Sequence, residues 1–181
     1  MGHDHSGFEQ MIAPMEARIV RTIARLVHDP DEAADVMQEA LVAIWKCEDM
    51  LQHHPNPQAC IMRICVNKAY DALRRRRRRQ SHEISWDDVY GPNGSAPIVI
   101  NASDVALDKQ QLAQNIIATI AQLPRQQAQA ILLRIVNENS FKEISQMLEC
   151  AEATAYSHYS KGLARLRRIF LKNQQRKGHG K

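Results

Sequence analysis

The stretch SFKEISQMLECAEATAYSHYSKGLARLRR, residues 140–168, decides the fold of the second half of the chain. Ser140 and Glu143 form a capping box, in which the serine caps a helix and the glutamate returns to the backbone. We therefore predict a short helix over 140–148, a tight turn at 149–151 and a long basic helix over 152–172. A capped helix, a three-residue turn and a basic helix make up a helix-turn-helix, whose second helix enters a DNA major groove.

Helical spacing divides the long helix into two faces. We predict an inner face of Ala155, Tyr159, Leu163 and Leu166. The outer face supplies side chains for base edges and, further along, for phosphates: Glu152, Thr154, Tyr156, Ser157, Ser160, Lys161, Arg165 and Arg168. The alternative is an ordinary amphipathic helical hairpin that binds no DNA. In the turn, Glu149 would be sterically costly if its φ is positive, and Ala151 is a poor helix cap.

Upstream of this motif the same apolar periodicity predicts a helix from 103 or 104 to 122 and another that Pro124 opens. In the first of these we expect Leu112 to belong to the apolar face, and in the second Ile135. Residues 80–104 have turn-forming composition, and only residues 97–100 have the composition of an extended segment. We predict an all-α chain of two small helical domains, over 8–80 and 105–172, joined by a flexible linker at 81–104.

The first half carries helical periodicity over 8–27, 31–47 and 57–79. Pro30 suits the first turn of the second helix, and Asn56 can cap the third, which has Pro57 at its first position. Residues 49–55 form a loop. We predict that the second helix buries Ala33, Ala34, Met37, Leu41, Ile44 and Trp45. Its outer face has an exposed valine beside hydrogen-bonding groups and can dock a basic helical partner: Asp35, Gln38, Glu39 and Val42.

One side of the third helix is predicted to be buried, through Ile61, Ile64, Cys65, Ala69 and Leu73. The other side carries Arg63, Asn67, Tyr70 and Arg74 at steps of four, three and four, and we call these four residues the basic stripe. Arginine suits phosphates, an amide suits a base edge and an aromatic ring stacks on bases, a mixture typical of single-strand binding. The alternatives are a solvated face or, from the arginine run at 74–79 alone, a contact with RNA or acidic lipid.

Charge is distributed in blocks along the chain, although the net charge is only +4. Residues 57–80 and 111–181 each carry a net charge of +7, whereas residues 1–56 carry −6 and residues 81–110 carry −4. Two separate basic blocks predict two contacts with a polyanion, while the acidic parts face another partner. With 44% apolar residues, wholesale disorder is not expected.

Several other classes of function find no support in the sequence. No apolar run approaches the ~20 residues of a membrane span, and no signal peptide is visible, so we expect a cytoplasmic protein without membrane insertion. No catalytic constellation or cofactor motif is present. The four cysteines lack a CxxC pair, which favours reduced packing thiols. A metal site from His53, His54, Cys60 and Cys65 would match no common zinc framework, so we predict none.

These segments resemble, in order, the parts of a bacterial sigma factor of the extracytoplasmic-function type. Residues 31–45 look like the helix that grips the clamp helices of the RNA polymerase β′ subunit. Residues 57–79, with Asn67 and the arginines after Asp71, resemble the promoter-melting helix that reads the minus-ten element. Residues 123–168 resemble the domain that reads the minus-thirty-five element. The turn departs from the family, which usually has Gly, Ile and Ser where this chain has Glu149, Cys150 and Ala151.

The resemblance implies a role for each predicted surface. The outer face of the second helix would bind core polymerase, and the second domain would meet the β flap. The loop at 50–55 corresponds to the family's loop that captures a flipped base. Duplex DNA would bind the outer face of the long helix named above. Single-stranded minus-ten DNA would bind a larger set: His53, His54, Arg63, Asn67, Tyr70, Arg74, Arg75 and Arg78.

The sequence thus predicts a sigma factor, which is not an enzyme. It would bind core polymerase, recognise two promoter elements and nucleate strand opening. The resemblance also implies an anti-sigma protein as a partner, because many members of the family have one, although no residue in this sequence indicates it. One rival is a helix-turn-helix regulator that acts on duplex DNA without polymerase; it would need neither the acidic helix face nor the basic stripe. The other is an arginine-rich RNA-binding protein, which would leave the second half without a role.

Overall fold

A computed structural model describes the backbone of residues 5–87 and 105–178, and the side chains of residues 7–79 and 112–172. Within these ranges every regular element is helical, which confirms the all-α prediction. The extended segment predicted at 97–100, and the linker beyond residue 87, lie outside the described residues.

The first domain begins with α1 (His5–Ile12), a 3₁₀ turn (Ala13–Met15) and α2 (Glu16–Leu26). The single helix predicted over 8–27 is therefore wrong in one respect, because it is interrupted at Pro14. Proline has no N–H to donate to the preceding turn of an α-helix. The chain accordingly tightens there before it continues, and the face of α2 with Ile19 and Ile23 becomes fully buried.

The next helix, α3 (Pro30–Trp45), starts where the sequence places its boundary. The Asp29 side chain accepts a hydrogen bond from the Glu32 N–H at 2.9 Å, a regular N-cap. The predicted buried face is partly wrong: Ala34 and Trp45 are exposed, and the buried residues are Val36, Ala40 and Ile44. Apolar residues surround much of this helix, so periodicity alone is compatible with more than one orientation.

Two corrections concern the segment that follows. The predicted loop contains a short helix, α4 (Glu48–Gln52), because Leu51 is drawn fully into the core. Asn56 caps α5 (Pro57–Asp87) as predicted, accepting from the Ala59 N–H at 3.1 Å. However, α5 continues past residue 79 into the predicted linker. Residues 80–87 contain neither Pro nor Gly, and extending an established helix needs no new nucleation.

The second domain consists of α6 (Val105–Ile120), α7 (Arg125–Ile135), α8 (Phe141–Leu148) and α9 (Glu152–Gly178). The predicted capping box is confirmed: the Glu143 N–H donates to Ser140 Oγ at 3.2 Å, and the Ser140 N–H donates to the Glu143 carboxylate at 2.7 Å. Glu149 closes α8 in the left-handed conformation, with φ 52° and ψ 48°. Here α8, the turn and α9 form the predicted helix-turn-helix.

Three predicted apolar contacts in this domain are wrong. Leu112 and Ile135 are more than half exposed, since the faces of α6 and α7 that carry them turn toward solvent. Leu163 is also exposed, because Gly162 occupies the contact between α9 and α7 instead. A Cβ at Gly162 would lie 2.6 Å from Ile131 Cδ1. The two helices are therefore too close at this point to hold a side chain as large as leucine between them.

One apolar core runs through both domains, which the sequence did not predict. Buried residues of the first domain, such as Ile61 and Tyr70, belong to the same cluster as Leu123, Ile131 and Ile144 of the second. The link is α5, which packs against α2 and α3 within its own domain and against α7 and α8 of the other. The second domain therefore lies against the helix that carries the basic stripe.

Candidate nucleic-acid interface

The outer face of α3 has the predicted orientation. Asp35, Gln38 and Val42 are exposed, with Val42 at 48%. Glu39 is half-buried, because it turns toward α5 and pairs with Arg75 at 2.9 Å and Lys68 at 3.9 Å. This surface thus combines an exposed apolar side chain with acidic groups, as a docking face requires.

The arginine run of α5 lies alongside the acidic side of α3. Glu32 contacts Arg79 at 3.3 Å and Arg76 at 3.8 Å, while Arg75 is held by Glu39. These pairs are largely exposed, and each is worth at most ~1 kcal/mol. They place the arginine side chains along the side of α5 that faces α3.

The basic stripe is not the exposed surface that the sequence predicts. Tyr70 is completely buried and its hydroxyl donates to the Leu123 carbonyl at 2.6 Å. Burial raises the pKa of Tyr70, against the opposing effect of Arg74. The prediction of an exposed tyrosine is therefore wrong for this conformation, because the second domain covers the ring. Only Arg74 stays exposed, with its guanidinium 5.9 Å from the Tyr70 ring centroid.

The other two members of the stripe also have partners in the second domain. Arg63 donates to Glu149 at 2.7 Å, and Asn67 accepts a hydrogen bond from Gln129. Further polar contacts between the domains flank the stripe on both sides. They are Arg125 to Asp71 at 2.5 Å, Asn56 to Gln146 at 3.1 Å, Arg25 to the Val136 carbonyl at 2.9 Å and Asn137 to Thr22 at 2.8 Å.

A group of possible metal ligands occurs in this interface, made of His54, Cys60 and Glu149, whose ligand atoms lie within 4.8 Å of one another. Two observations favour hydrogen bonding over metal binding. The Asn56 N–H donates to His54 Nδ1 at 3.0 Å, which assigns the proton of the neutral ring to Nε2, where a metal would bind. Arg63 already occupies the Glu149 carboxylate. The group with His53 and Cys65 that the sequence analysis considered and rejected does not form among the described residues.

The other side chains of that rejected group have local surroundings of their own. His53 Nδ1 lies 2.8 Å from the Asp49 carbonyl, so this ring folds back on α4. Burial raises the pKa of Cys65 to about 12, and burial also raises the pKa values of Cys60 and Cys150. All four cysteines are free thiols. The raised pKa values make Cys60, Cys65 and Cys150 poor nucleophiles, in line with the predicted packing role.

The outer face of α9 is open over most of its predicted contacts. Ser157 is half-buried, and the others are exposed: Glu152, Thr154, Tyr156, Ser160, Lys161, Arg165 and Arg168. An aromatic cluster supports the start of the helix, where the Phe141 ring lies 5.2 Å from Tyr156 and 5.4 Å from Tyr159. Arg134 covers the same phenylalanine at 5.3 Å. The contact with Phe141 thus supports the Tyr156 ring on one side, while the side chain remains 57% exposed.

Sequence reasoning missed the residues through which the second domain meets the basic stripe and its neighbours on the first domain: Leu123, Arg125, Gln129, Gln146 and Glu149. Most of them are ordinary polar residues on amphipathic helices, and no periodicity distinguishes them. The one available signal was Glu149, a bulky acidic residue in a tight turn. Among the described helices, none has the length and apolar character needed to cross a bilayer.

Comparison with known proteins agrees with this geometry. Residues 11–79 match the model of sigma-70 region 2, and residues 113–166 match that of sigma-70 region 4. Together the two ranges cover more than half of the chain.

Curated relatives include the RNA polymerase sigma-H factor of Pseudomonas aeruginosa, 26% identical over 85% of this chain and 81% of the relative. The extracytoplasmic-function sigma-E factor of Escherichia coli K12 is 25% identical over the same shares.

Two solved structures share the fold. The sigma factor RpoE in complex with the anti-sigma factor NepR, from Bartonella quintana, has a TM-score of 0.50 and 22% identity, covering 90% of this chain and 96% of that one. CnrH in complex with the cytosolic domain of CnrY has a TM-score of 0.51 and 18% identity, covering 92% and 89%. With regions 2 and 4 in their order and on their helices, the chain belongs to the sigma-70 family as an extracytoplasmic-function sigma factor, a protein of promoter recognition in transcription initiation.

Proposed function

We propose that this sigma factor binds core RNA polymerase mainly through the outer face of α3, with Asp35, Gln38, Glu39 and Val42 meeting the β′ clamp helices. The exposed Val42 beside acidic side chains supports this assignment, and it is the observation that carries the proposal. An apolar anchor among polar groups is typical of an interface centre. The β flap is the proposed partner of the second domain. The chain acts in the cytoplasm, alongside polymerase, without chemistry of its own.

Two DNA contacts complete the proposal. The outer face of α9 reads the duplex minus-thirty-five element, since its exposed residues stand at the start of the second helix of a helix-turn-helix. The basic stripe, with His53, His54, Arg75 and Arg78, binds the unpaired non-template strand of the minus-ten element. Opening then requires only that the unpaired strand be bound more tightly than the duplex, by a few kcal/mol per flipped base.

An anti-sigma protein is the further partner we propose. Its support is the RpoE–NepR complex, in which a chain of the same fold binds an anti-sigma factor. A stoichiometric inhibitor of this kind would have to cover α3, α5 or both to prevent assembly with polymerase.

The polymerase contact is tested by the substitution Val42→Glu, with Val20→Glu as its matched control. The two valines are equally exposed, at 48% and 50%, but Val20 lies on α2. A carboxylate buried without a partner costs ~1–3 kcal/mol or more, so Val42→Glu is expected to weaken binding to purified core polymerase about tenfold. Fluorescence anisotropy with a labelled sigma factor measures the affinity. Equal affinities of the two variants for core polymerase would show that this face of α3 does not bind polymerase.

A further inference from the structure

The basic stripe is occupied by the second domain. Three of its four residues have partners there: Arg63 contacts Glu149 at 2.7 Å, Asn67 contacts Gln129, and Tyr70 contacts the Leu123 carbonyl at 2.6 Å. Tyr70 has no exposed surface, so no base can stack on it in this conformation. Nucleotides and the second domain therefore compete for the same side chains.

We propose that the second domain is a built-in competitor of the minus-ten strand, and that Glu149 is the latch that holds it on α5. The inference rests on the proposed role of the basic stripe in strand binding. In the closed conformation the chain withholds the stripe from single-stranded DNA. Separation of the domains, as promoter elements and polymerase engage each domain, releases it.

The backbone of Glu149 points to this role. Its φ of 52° lies in the left-handed region, where a side chain is disfavoured and glycine is the usual residue. The Glu149 carboxylate lies 2.7 Å from Arg63, 3.9 Å from His54 Nε2 and 4.0 Å from Cys60 Sγ, all on the first domain. A glutamate in this turn thus accepts backbone strain and places its charge against the start of α5.

A second glutamate offers an internal comparison. Glu138, in the turn between α7 and α8, also has a left-handed backbone, with φ 57°. It is exposed, and within the described residues its side chain makes no hydrogen bond or ion pair with the first domain. Glu138→Gly and Glu149→Gly therefore relieve the same kind of strain, but only Glu149→Gly removes a contact between the domains.

Separation of the domains can be followed on the full-length chain through its own cysteines. Cys60 is 1% exposed, and its thiol has Glu149 on one side, whereas Cys65 is buried further along α5. A small alkylating reagent should modify Cys60 about twofold to fivefold faster in Glu149→Gly than in Glu138→Gly, the range expected for one exposed ion pair. Cleavage after Arg63 separates the two cysteines for mass spectrometry. Cys65 reports global unfolding and should keep its rate.

A charge exchange provides a second, independent perturbation of the interface. In the present structure the Arg125 guanidinium lies 2.5 Å from the Asp71 carboxylate. Arg125→Asp replaces this attraction by repulsion between two carboxylates, and should separate the domains more strongly than Glu149→Gly. Adding Asp71→Arg restores an opposite pair and should return Cys60 to its slow rate. Neither residue belongs to the proposed DNA-binding set, so the exchange tests the closed conformation alone.

Binding of a short mixed-sequence single-stranded DNA measures the consequence. Apparent affinity scales with the fraction of open molecules, so Glu149→Gly should bind about twofold to fivefold more tightly than Glu138→Gly. Asn67→Ala in the Glu149→Gly background should reverse the gain. Equal Cys60 rates and equal DNA affinities in the two glycine variants would overturn the latch. Faster Cys60 modification in both Glu149→Gly and Arg125→Asp, without tighter DNA binding in either, would leave the latch standing and instead refute the strand-binding role of the stripe.

Discussion

Ser140 and Glu143 satisfy each other's backbone donors at the start of α8, the first helix of the helix-turn-helix. The hydrogen bonds from Ser140 lower the pKa of Glu143 below its ordinary value of 4.5. A carboxylate whose pKa is lower in the folded state stabilises the fold above its ordinary pKa. That contribution is lost as pH falls through the lowered value.

Ser140→Ala should therefore lower the free energy of unfolding by about 1 kcal/mol at neutral pH, the usual effect of losing an N-cap. It should also reduce the loss of stability between about pH 5 and pH 3, because Glu143 then titrates nearer its ordinary pKa. Urea unfolding across this pH range gives both quantities. Ser160→Ala, an exposed site inside α9, serves as the control with a change within ~0.5 kcal/mol. An unchanged acid profile in Ser140→Ala would contradict the coupling.

At this scale some side-chain environments follow from sequence and others do not. The caps at Asp29, Asn56 and Ser140 are local, so a few residues contain all the information they need. Tyr70 is different, because its burial depends on Leu123, which is 53 residues away. No helical periodicity encodes whether a polar stripe meets water, DNA or another domain.

Among the helices, α9 is the element whose role depends most on what its faces contact. Its inner face packs on α7 at Gly162, and its outer face stands free at Lys161, with Ser157 half-buried beside it. Arg168 lies two turns further along, where the proposed duplex complex would bring the helix out of the groove and toward phosphates. The start of the helix should therefore discriminate sequence, and its later part should supply affinity.

Lys161→Ala and Ser157→Ala should reduce the preference for the cognate minus-thirty-five duplex by ~1–3 kcal/mol. Arg168→Ala should weaken cognate and non-cognate duplexes alike and reduce the salt slope by about one. Electrophoretic mobility shifts of the holoenzyme on both duplexes, at several salt concentrations, measure these effects. A uniform loss in all three variants would exclude base reading by this helix.

Helix boundaries and orientations were predictable to different degrees. The boundaries of α3, α7 and α8 follow from caps and prolines, which act within one turn. The buried face of α3 was only partly predictable because its apolar residues cover more than one face, and only packing against α2 and α5 selects Val36, Ala40 and Ile44. The extension of α5 to Asp87 was missed because composition resembles a linker where the helix simply continues.

For the molecule as a whole, the predicted independence of the two domains is replaced by a shared core. In the proposed mechanism, the binding of promoter DNA and polymerase must then supply enough free energy both to unpair bases and to separate the domains. Stacking on one aromatic side chain is worth ~1–3 kcal/mol, and polymerase and duplex contacts must contribute the remainder. The site residues could be proposed from sequence. That the second domain covers the basic stripe could not be predicted, because this arrangement arises from contacts between distant segments of the chain.

Arg63→Ala together with Asn67→Ala should impair promoter melting while leaving polymerase binding near normal, because both side chains are half-buried, Tyr70 keeps its place in the shared core and α3 is untouched. Permanganate reactivity of unpaired thymines in the minus-ten region should fall on a duplex promoter. Transcription from a pre-melted bubble template should recover much of the loss. Normal thymine reactivity in this double variant would assign the stripe a purely interdomain role and transfer melting to the segment at 50–55.

The hydrogen bond from Tyr70 ends on a main-chain carbonyl, that of Leu123, and this has a consequence for how the protein can evolve. A substitution at position 123 leaves this acceptor in place, although it changes a buried side chain of the shared core. Substitution of Tyr70 itself would remove the hydrogen bond between the domains and, in the proposed mechanism, a member of the strand-binding stripe. The second-domain positions 125, 129, 146 and 149 contribute only to the contact between the domains and have no proposed role in DNA binding. A lineage could therefore reset the resting activity of the factor by single changes there, without altering which promoters it reads.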